Sequence, residues 1–180
     1  MALGEEKHTD MKNALDESSS VNRRSLVSFL LFEVYMLVIV GSTSDMQLLI
    51  NSRIHLPLAN FEIPLFGFYI IAPIFMIAIH FNLLFNLLQH SQKLFSWSEK
   101  AGSPEQCISL QPFLFNFLIR YRPGQINYYL LRTILNTLIY FFPLSVFLLT
   151  QLTFSKYHSF LMTFWHFVLL QVDVLLLMIY

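Results

Sequence analysis

The sequence predicts an all-α integral membrane protein: a four-transmembrane-helix bundle with a short extended outer cap and an inner interfacial amphipathic helix. Three observations lead to this prediction. Apolar residues make up 56% of the 180 residues and charged residues only 12%, against about 45–50% and about 25% in ordinary soluble domains. Four apolar stretches approach or exceed the roughly 20 helical residues that cross a bilayer core. The two longer connections between them carry a strand-like and an amphipathic pattern.

The four apolar stretches place the predicted spans at about 26–44, 63–88, 130–154 and 160–180. Residues 1–22 are rich in charge and are predicted to be a disordered tail, so that the membrane domain covers 23–180. Pro73 and Pro143 lie inside the second and third spans. Because neighbouring helices can satisfy the carbonyl groups that a proline frees, we expect both helices to kink and continue.

The basic residues predict the orientation of the spans. Nine of the eleven Lys and Arg residues lie before the first span or in and beside the 89–129 loop: Lys7, Lys12, Arg23, Arg24, Lys93, Lys100, Arg120, Arg122 and Arg132. Only Arg53 and Lys156 lie in the other two loops. Since basic residues accumulate on the cytoplasmic side, both termini are expected in the cytoplasm. The last span reaches Tyr180 without a basic stop, which fits a chain ending flush with the membrane or a domain separated from a soluble C-terminal partner.

The first long connection, Arg53–Leu65, predicts the outer cap. Apolar residues alternate with others on both sides of Ala59-Asn60, which is the period-two pattern of a hairpin. Pro57 and Pro64 favour short, edge-like strands. An irregular loop of the same residues is the alternative.

The cytoplasmic loop 89–129 is the largest segment outside the predicted spans. Within it, "SLQPFLFNFLIRYRPG" places apolar residues on one helical face, the pattern of an amphipathic helix: Leu110, Phe113, Leu114, Phe117 and Leu118. Tyr and Trp residues beside it are typical of the headgroup region. This helix is expected to lie in the inner membrane interface, or else to pack against a cytoplasmic protein partner.

One polar residue in each span is predicted to lie in a common layer. Counted inward from the proposed cytoplasmic edges, Glu33, His80, Asn136 and Asp173 fall at similar depth. At about 1.5 Å per residue this depth is about 10 Å. Ionisable groups inside a membrane are costly and rare, so this layer is the principal candidate site.

Other polar residues define a secondary face and a stripe. His166 shares the face of Asp173 on the fourth span, and Tyr140 and Gln151 share the face of Asn136 on the third. On the second span, Asn82, Asn86 and Gln89 form a stripe opposite His80. Two polar faces on one helix predict neighbours on both sides, either within the bundle or at the interface of a homo-oligomer.

The polar layer has three interpretations. Hydrogen bonds between Glu33 or Asp173 and His80 and Asn136 would clamp the helices together. The same groups around water would form a proton or ion route. A metal or catalytic centre is the least favoured, because no HExxH, Ser-His-Asp, P-loop or dinucleotide-binding pattern is present. No metal and no cofactor are therefore expected.

Composition excludes further classes of function. Cys107 is the only cysteine, which rules out an internal disulfide and cysteine-based zinc or iron–sulfur sites. The formal net charge is zero, and nothing in the charge pattern indicates nucleic-acid binding. The protein is therefore predicted to be a non-enzymatic partner of the lipid bilayer.

Two segments resemble the membrane domain of bacterial pentapeptide-repeat membrane proteins: "INSRIHLPLANFEIPLFGFYIIAPIFMIAIHFNLLFNLL" and "LTFSKYHSFLMTFWHFVLLQVDVLLLM". The likeness covers roughly Asn22–Tyr180 and depends on the Leu-Pro pair at 56–57, the stretch from Gly67 to Pro73, His80 and the segment from Tyr157 to Asp173. It implies a four-helix module in the bacterial inner membrane that accompanies a cytoplasmic repeat domain, with no enzymatic activity. The repeats themselves are absent from this chain.

Three functions follow as hypotheses. The first is a module that anchors or signals to a cytoplasmic partner docking at the 89–129 loop, as a homo-oligomer. The second is a pore-forming or membrane-depolarising effector of an antiviral defence system, which would be toxic when activated. The third is an ion or proton transporter that depends on Glu33, His80 and Asp173.

Overall fold

The computed structural model describes residues 2–56, 61–100, 110–121, 124–156 and 158–180. These residues are almost entirely helical, and we number the helices in chain order: α1 (Ala2–Ser42), α2 (Asp45–Leu49), α3 (Leu65–Lys100), α4 (Leu114–Arg120), α5 (Ile126–Asn136), α6 (Phe142–Ser155) and α7 (Phe160–Ile179). A π-helical turn, Thr137–Phe141, joins α5 to α6. Two short strands, β1 (Arg53–Leu56) and β2 (Phe61–Pro64), lie between α2 and α3.

Four helical stretches in the described part of the chain are long and apolar enough to cross a membrane: Thr9–Ser42, Leu65–Trp97, Ile126–Ser155 and Phe160–Ile179. The four predicted spans fall within these stretches or overlap them almost completely. Many large apolar side chains on these helices are exposed, among them Leu31, Phe75, Leu152 and Leu175. An apolar exterior of this kind fits an integral membrane protein, because lipid replaces water around it.

The chain forms two compact units. Unit 1 comprises Met1–Phe29 and Asn82–Ile139, and unit 2 comprises Leu30–Phe81 and Tyr140–Tyr180. The boundaries between the units fall within α1, within α3 and inside the π-helical turn. Each unit has its own buried side chains.

The core of unit 2 is apolar and aromatic. It contains Met36, Phe68, Met76, Phe147 and Phe154, contributed by α1, α3 and α6. Helix α7 adds buried side chains at a spacing of three and four residues: Met162, His166, Leu169 and Asp173. This spacing keeps one face of a helix directed toward its neighbours along several turns.

The strand-like segment forms a hairpin in unit 2. Strands β1 and β2 pair antiparallel, with Ile54 opposite Ile63, as the alternation predicts. The expected turn at Ala59-Asn60 lies outside the described residues. After the hairpin, Asn51 supports the start of α3, since its Oδ1 accepts a hydrogen bond of 3.0 Å from the backbone N–H of Phe66. The placement of this hairpin on an outer membrane face stays a prediction.

The two prolines are accommodated in different ways. Helix α3 continues through Pro73, which leaves the carbonyl of Tyr69 without its usual donor four residues later. His166 of α7 provides one, with its Nε2 2.8 Å from that oxygen. Before Pro143, the helix widens into the π-helical turn. This local change of pitch accommodates a residue that has no N–H to donate to the preceding turn. Both helices continue past their prolines, as expected.

Unit 1 contains a smaller apolar cluster of Leu15, Leu94, Trp97 and Leu110. Leu15 belongs to the segment 1–22, for which the sequence predicts a disordered tail, whereas α1 already begins at Ala2. The physical reason is a continuous buried face on α1 with a spacing of three and four residues: Leu15, Ser19, Asn22, Leu26, Phe29, Glu33, Met36 and Val40. Because Ser19 and Asn22 are polar, composition alone conceals the start of this face.

The amphipathic segment of the 89–129 loop is shorter in the structure than predicted. Helix α4 begins only at Leu114, and the backbone of Phe113 before it is extended. Leu110 and Phe113 are buried just before it, and Asn116 is buried within it. The side of the segment predicted to be apolar therefore packs within unit 1 together with a polar residue, Asn116. Its position at a membrane interface stays a prediction.

Candidate functional site

Unit 2 contains a histidine and a carboxyl group in direct contact. His80 lies on the face of α3 that also buries Tyr69, Pro73 and Met76, and Asp173 lies on the buried face of α7. His80 Nδ1 is 2.7 Å from Asp173 Oδ1, and both side chains are 0% exposed. This is the short distance of a charge-assisted hydrogen bond. It joins two residues that are 93 positions apart in sequence and lie on different helices.

A second carboxyl group, that of Glu33, is buried in the same unit. Glu33 is also 0% exposed, and it lies on the buried face of α1 next to Met36. Its carboxylate and that of Asp173 would repel each other if both were ionised. Neither oxygen of Glu33, nor Oδ2 of Asp173, has a hydrogen-bond partner among the described residues. Glu33, His80 and Asp173 are called the acid–histidine cluster below.

The charges of this cluster do not balance. Even if His80 is an imidazolium, its single positive charge compensates only one of the two carboxylates. An uncompensated carboxylate is very costly in an apolar interior. The second carboxyl group must therefore hold a proton or meet a cation. A cluster of this composition is a natural place to bind and release a proton.

Aromatic side chains surround a second polar contact in unit 2, the one between His166 and the backbone carbonyl of Tyr69. His166 stacks edge-on against Phe154, with ring centroids 5.2 Å apart, while Tyr69 and Phe154 lie 4.9 Å apart. The indole Nε1 of Trp165 donates a longer hydrogen bond, 3.4 Å, to the carbonyl of Ile70. These contacts hold α7 against the proline-containing turn of α3, which fixes the helix that carries Asp173.

The predicted polar layer is only partly assembled in unit 2. Glu33, His80 and Asp173 are brought into it, whereas Asn136 belongs to unit 1 and is exposed. Asn136 ends α5 immediately before the π-helical turn. A count of residues gives depth and does not determine which side of the helix faces its neighbours, and at this depth Leu135 is the buried residue.

The other predicted polar residues differ in their exposure. His166 is buried, and Tyr140 and Gln151 are half-buried, all three within unit 2. In unit 1, Asn82 and Gln89 are exposed. The half-buried Asn86 donates a hydrogen bond of 3.2 Å to Asn82 along the same helix. The stripe on α3 thus retains unoccupied polar surface in the described structure of unit 1.

The backbone carbonyl of Tyr69 was not among the polar partners predicted from the sequence. The available signal was Pro73, because proline always leaves the carbonyl four residues earlier without its helical donor. A histidine or tryptophan on a neighbouring span is then a candidate donor. Only the folded chain shows that His166 and Trp165 are the ones that contact this turn.

The described residues contain no group of three or more His, Cys, Asp or Glu side chains arranged to hold a metal ion. No family model, curated protein or solved structure matches the chain. The resemblance to the membrane domain of pentapeptide-repeat proteins therefore stays a prediction.

Proposed function

We propose that the protein is a membrane protein that moves protons across the bilayer by way of the acid–histidine cluster in unit 2. The observation behind this proposal is the unbalanced charge of Glu33, His80 and Asp173, three fully buried groups in helices long enough to span a membrane. Two carboxyl groups and one imidazole form a set that can take up and pass on protons.

Glu33 distinguishes this proposal from simple helix clamping. The contact between His80 and Asp173 is by itself a good clamp between α3 and α7. Glu33 adds nothing to clamping, because its oxygens have no hydrogen-bond partner among the described residues. A buried acid that does not stabilise the fold through hydrogen bonds is favoured as a functional group.

The charge pattern of the loops supports a location for this activity. Nine of eleven basic residues flank the ends assigned to one side, which favours both termini in the cytoplasm, and the resemblance to bacterial pentapeptide-repeat membrane proteins implies the bacterial inner membrane. With about 1.5 Å per residue, the acid–histidine cluster would then lie about 10 Å below the cytoplasmic surface. Protons would reach it from that side over a short distance.

Proton flux into liposomes tests the proposal. The full chain is reconstituted with a pH-sensitive dye inside, and a potassium gradient with valinomycin supplies an inward driving force for protons. We expect the wild type to acidify the lumen and Glu33→Gln to reduce the rate to that of protein-free vesicles, because glutamine keeps the shape and cannot carry the proton.

Glu62→Gln is the matched control, since Glu62 is an exposed carboxyl group in the same unit. It should leave the flux unchanged. Tight vesicles containing folded wild-type protein would contradict the proposal, and so would a flux that Glu33→Gln does not alter. A potassium flux from vesicles that contain the protein but no valinomycin would indicate the pore-forming effector instead.

A further inference from the structure

A second fully buried histidine, His90, lies in unit 1 and has a partner at each ring nitrogen. Its Nδ1 is 3.0 Å from the hydroxyl oxygen of Ser18 on α1. Its Nε2 is 2.9 Å from the side-chain oxygen of Asn116 on α4. The edge of the imidazole also contacts Phe113, with ring centroids 5.3 Å apart. The imidazole is therefore fixed in one orientation.

The hydrogen bonds of Asn116 show which way its amide faces. Its Nδ2 donates to the backbone carbonyl of Gln111 at 2.8 Å and to the hydroxyl of Ser19 at 2.9 Å. A carbonyl oxygen can only accept, so the NH2 group must be on this side. The carbonyl of Asn116 consequently faces His90. The side chain of Asp16 in turn accepts a hydrogen bond of 2.8 Å from the backbone N–H of Gln111.

This orientation determines the proton positions on His90. Because the side-chain oxygen of Asn116 can only accept, Nε2 of His90 must carry the hydrogen of this bond. In the neutral ring, Nδ1 then has a free lone pair, and the Ser18 hydroxyl donates to it. The hydroxyl of Ser18 is therefore bonded to an imidazole that can accept its proton, and the side chain of Asn116 orients that imidazole.

We infer that Ser18, His90 and Asn116 form a catalytic centre for acyl transfer, in which Ser18 is the nucleophile, His90 the general base and Asn116 the positioning residue. A nucleophile bonded to a base that a third group orients is the defining geometry of such centres. The same constellation occurs on unrelated folds, including versions with asparagine as the third member.

A cavity gives access to the proposed nucleophile. Ser18 is half-buried and lines a cavity of about 320 Å³ in unit 1, together with Asn22, Gln89 and Lys93. The side-chain Nδ2 of Asn22 donates to the Ser18 carbonyl at 2.9 Å and lies 3.5 Å from its hydroxyl oxygen. Both amide hydrogens of Asn22 are thus directed at Ser18, and the ammonium group of Lys93 is the donor on the cavity wall that could stabilise negative charge on a substrate oxygen.

The position of the cavity favours a carboxylic ester of an acyl lipid as the substrate. Beside the cavity, the exposed side chains of α3 change from mainly apolar, as in Phe85 and Leu88, to mixed polar and aromatic, as in Gln89, Lys93 and Phe95. In a membrane helix this change occurs at the level of the headgroups, where the ester bonds of glycerolipids lie.

The proposed reaction has two balanced steps. Ser18 Oγ attacks the ester carbonyl carbon while His90 Nδ1 takes the hydroxyl proton. The tetrahedral intermediate then collapses, and the alcohol leaves with the proton from His90. In the second step water attacks the acyl-serine, His90 accepts one of its protons and returns it to Ser18, and the fatty acid is released.

Labelling with an alkyl fluorophosphonate tests the inference. The full chain in detergent micelles is treated with the probe, and the modified residue is identified by mass spectrometry. We expect Ser18 to be labelled, and Ser18→Ala and His90→Gln to reduce labelling to that of heat-denatured protein. Ser20→Ala is the matched control, because Ser20 is the half-buried neighbour of this set in the sequence.

Asn116 has its own test. If it positions His90, Asn116→Ala should slow labelling and Asn116→Asp should slow it less, because aspartate still accepts from Nε2 although it cannot donate to the Gln111 carbonyl. A merely structural role would lower the unfolding temperature of both variants without separating their labelling rates. The inference is contradicted if folded wild-type protein is not labelled at Ser18, if Ser20→Ala lowers labelling equally, or if labelling survives in a folded His90→Gln variant.

Discussion

Two histidines on the buried face of α3 have opposite surroundings. His80, in unit 2, contacts the carboxyl group of Asp173, whereas His90, in unit 1, contacts a serine hydroxyl and an asparagine carbonyl. Both side chains are fully buried. The same residue type on one helix therefore takes part in a charged cluster in one unit and in a neutral hydrogen-bond relay in the other.

The difference shows that the partners of a buried histidine decide its chemistry. Acidic neighbours create a charge that has to be compensated, so a proton becomes part of the site. Neutral neighbours define a donor at one ring nitrogen and an acceptor at the other, so the ring can take a proton from a hydroxyl group. The first arrangement suits proton transport and the second suits acyl transfer.

The largest stability effect is expected in unit 1, from Asn116→Leu. The substitution leaves the fully buried His90 Nε2 without a partner and removes the donor to the buried Ser19 hydroxyl, and a buried group left without its partner costs roughly 1–3 kcal/mol. The free energy of unfolding in detergent should fall by at least this amount, as measured by reversible denaturation. Asn127→Leu is the control, since Asn127 is exposed in the same unit. An equal loss in both variants would contradict the described network.

A double-mutant cycle measures how much the contact between His80 and Asp173 stabilises unit 2. His80→Phe, Asp173→Asn and the double variant should give a coupling energy of about 0.6–2 kcal/mol, the range of hydrogen bonds between membrane helices. The measurement is the free energy of unfolding of all four proteins. A coupling energy near zero would show that the 2.7 Å contact does not stabilise unit 2.

The proline compensation in unit 2 predicts a smaller, conditional effect. His166→Phe removes the donor to the Tyr69 carbonyl and should cost about 0.5–1.5 kcal/mol. In a Pro73→Ala background the cost should shrink, because an alanine at this position would restore the helical N–H to that carbonyl. Thermal unfolding of the four combinations measures this. Equal costs in both backgrounds would contradict the compensation.

The smallest effect is expected at the surface of unit 2. Lys156 and Asp45 form an ion pair of 3.1 Å, but both side chains are more than half exposed. Exposed pairs contribute about 0.2–1 kcal/mol and are weakened further by salt. Lys156→Ala should therefore shift the unfolding temperature little, and not at all at high salt. A loss comparable to that of the buried contacts would contradict the described exposure.

Much of α3 could be predicted from sequence. The face of Tyr69, Pro73, Met76 and His80 follows from helical periodicity, and all four residues are buried. The pattern even continues at three-and-four spacing through Leu83, Leu87, His90, Leu94 and Trp97. Periodicity succeeds there because α3 is regular over its whole length.

Other parts of the two sites could not be predicted. Asn136 was assigned to the layer by counting residues, and the count gives depth without showing that Leu135, not Asn136, lies on the buried side of the helix. The set of Ser18, His90 and Asn116 has separations of 72 and 26 residues, which correspond to no sequence motif. Only tertiary packing brings a hydroxyl, an imidazole and an amide together at these separations.

The measurement that tests the central claim most directly is infrared spectroscopy of the folded protein in lipid at neutral pH. The acid–histidine cluster should contain a protonated carboxyl group, visible as a C=O stretching band that Glu33→Gln or Asp173→Asn removes or shifts and the exposed-site control Glu62→Gln leaves in place. The absence of any such band in the wild type would mean that both buried carboxyl groups are ionised, and the account of a proton-binding cluster would be wrong.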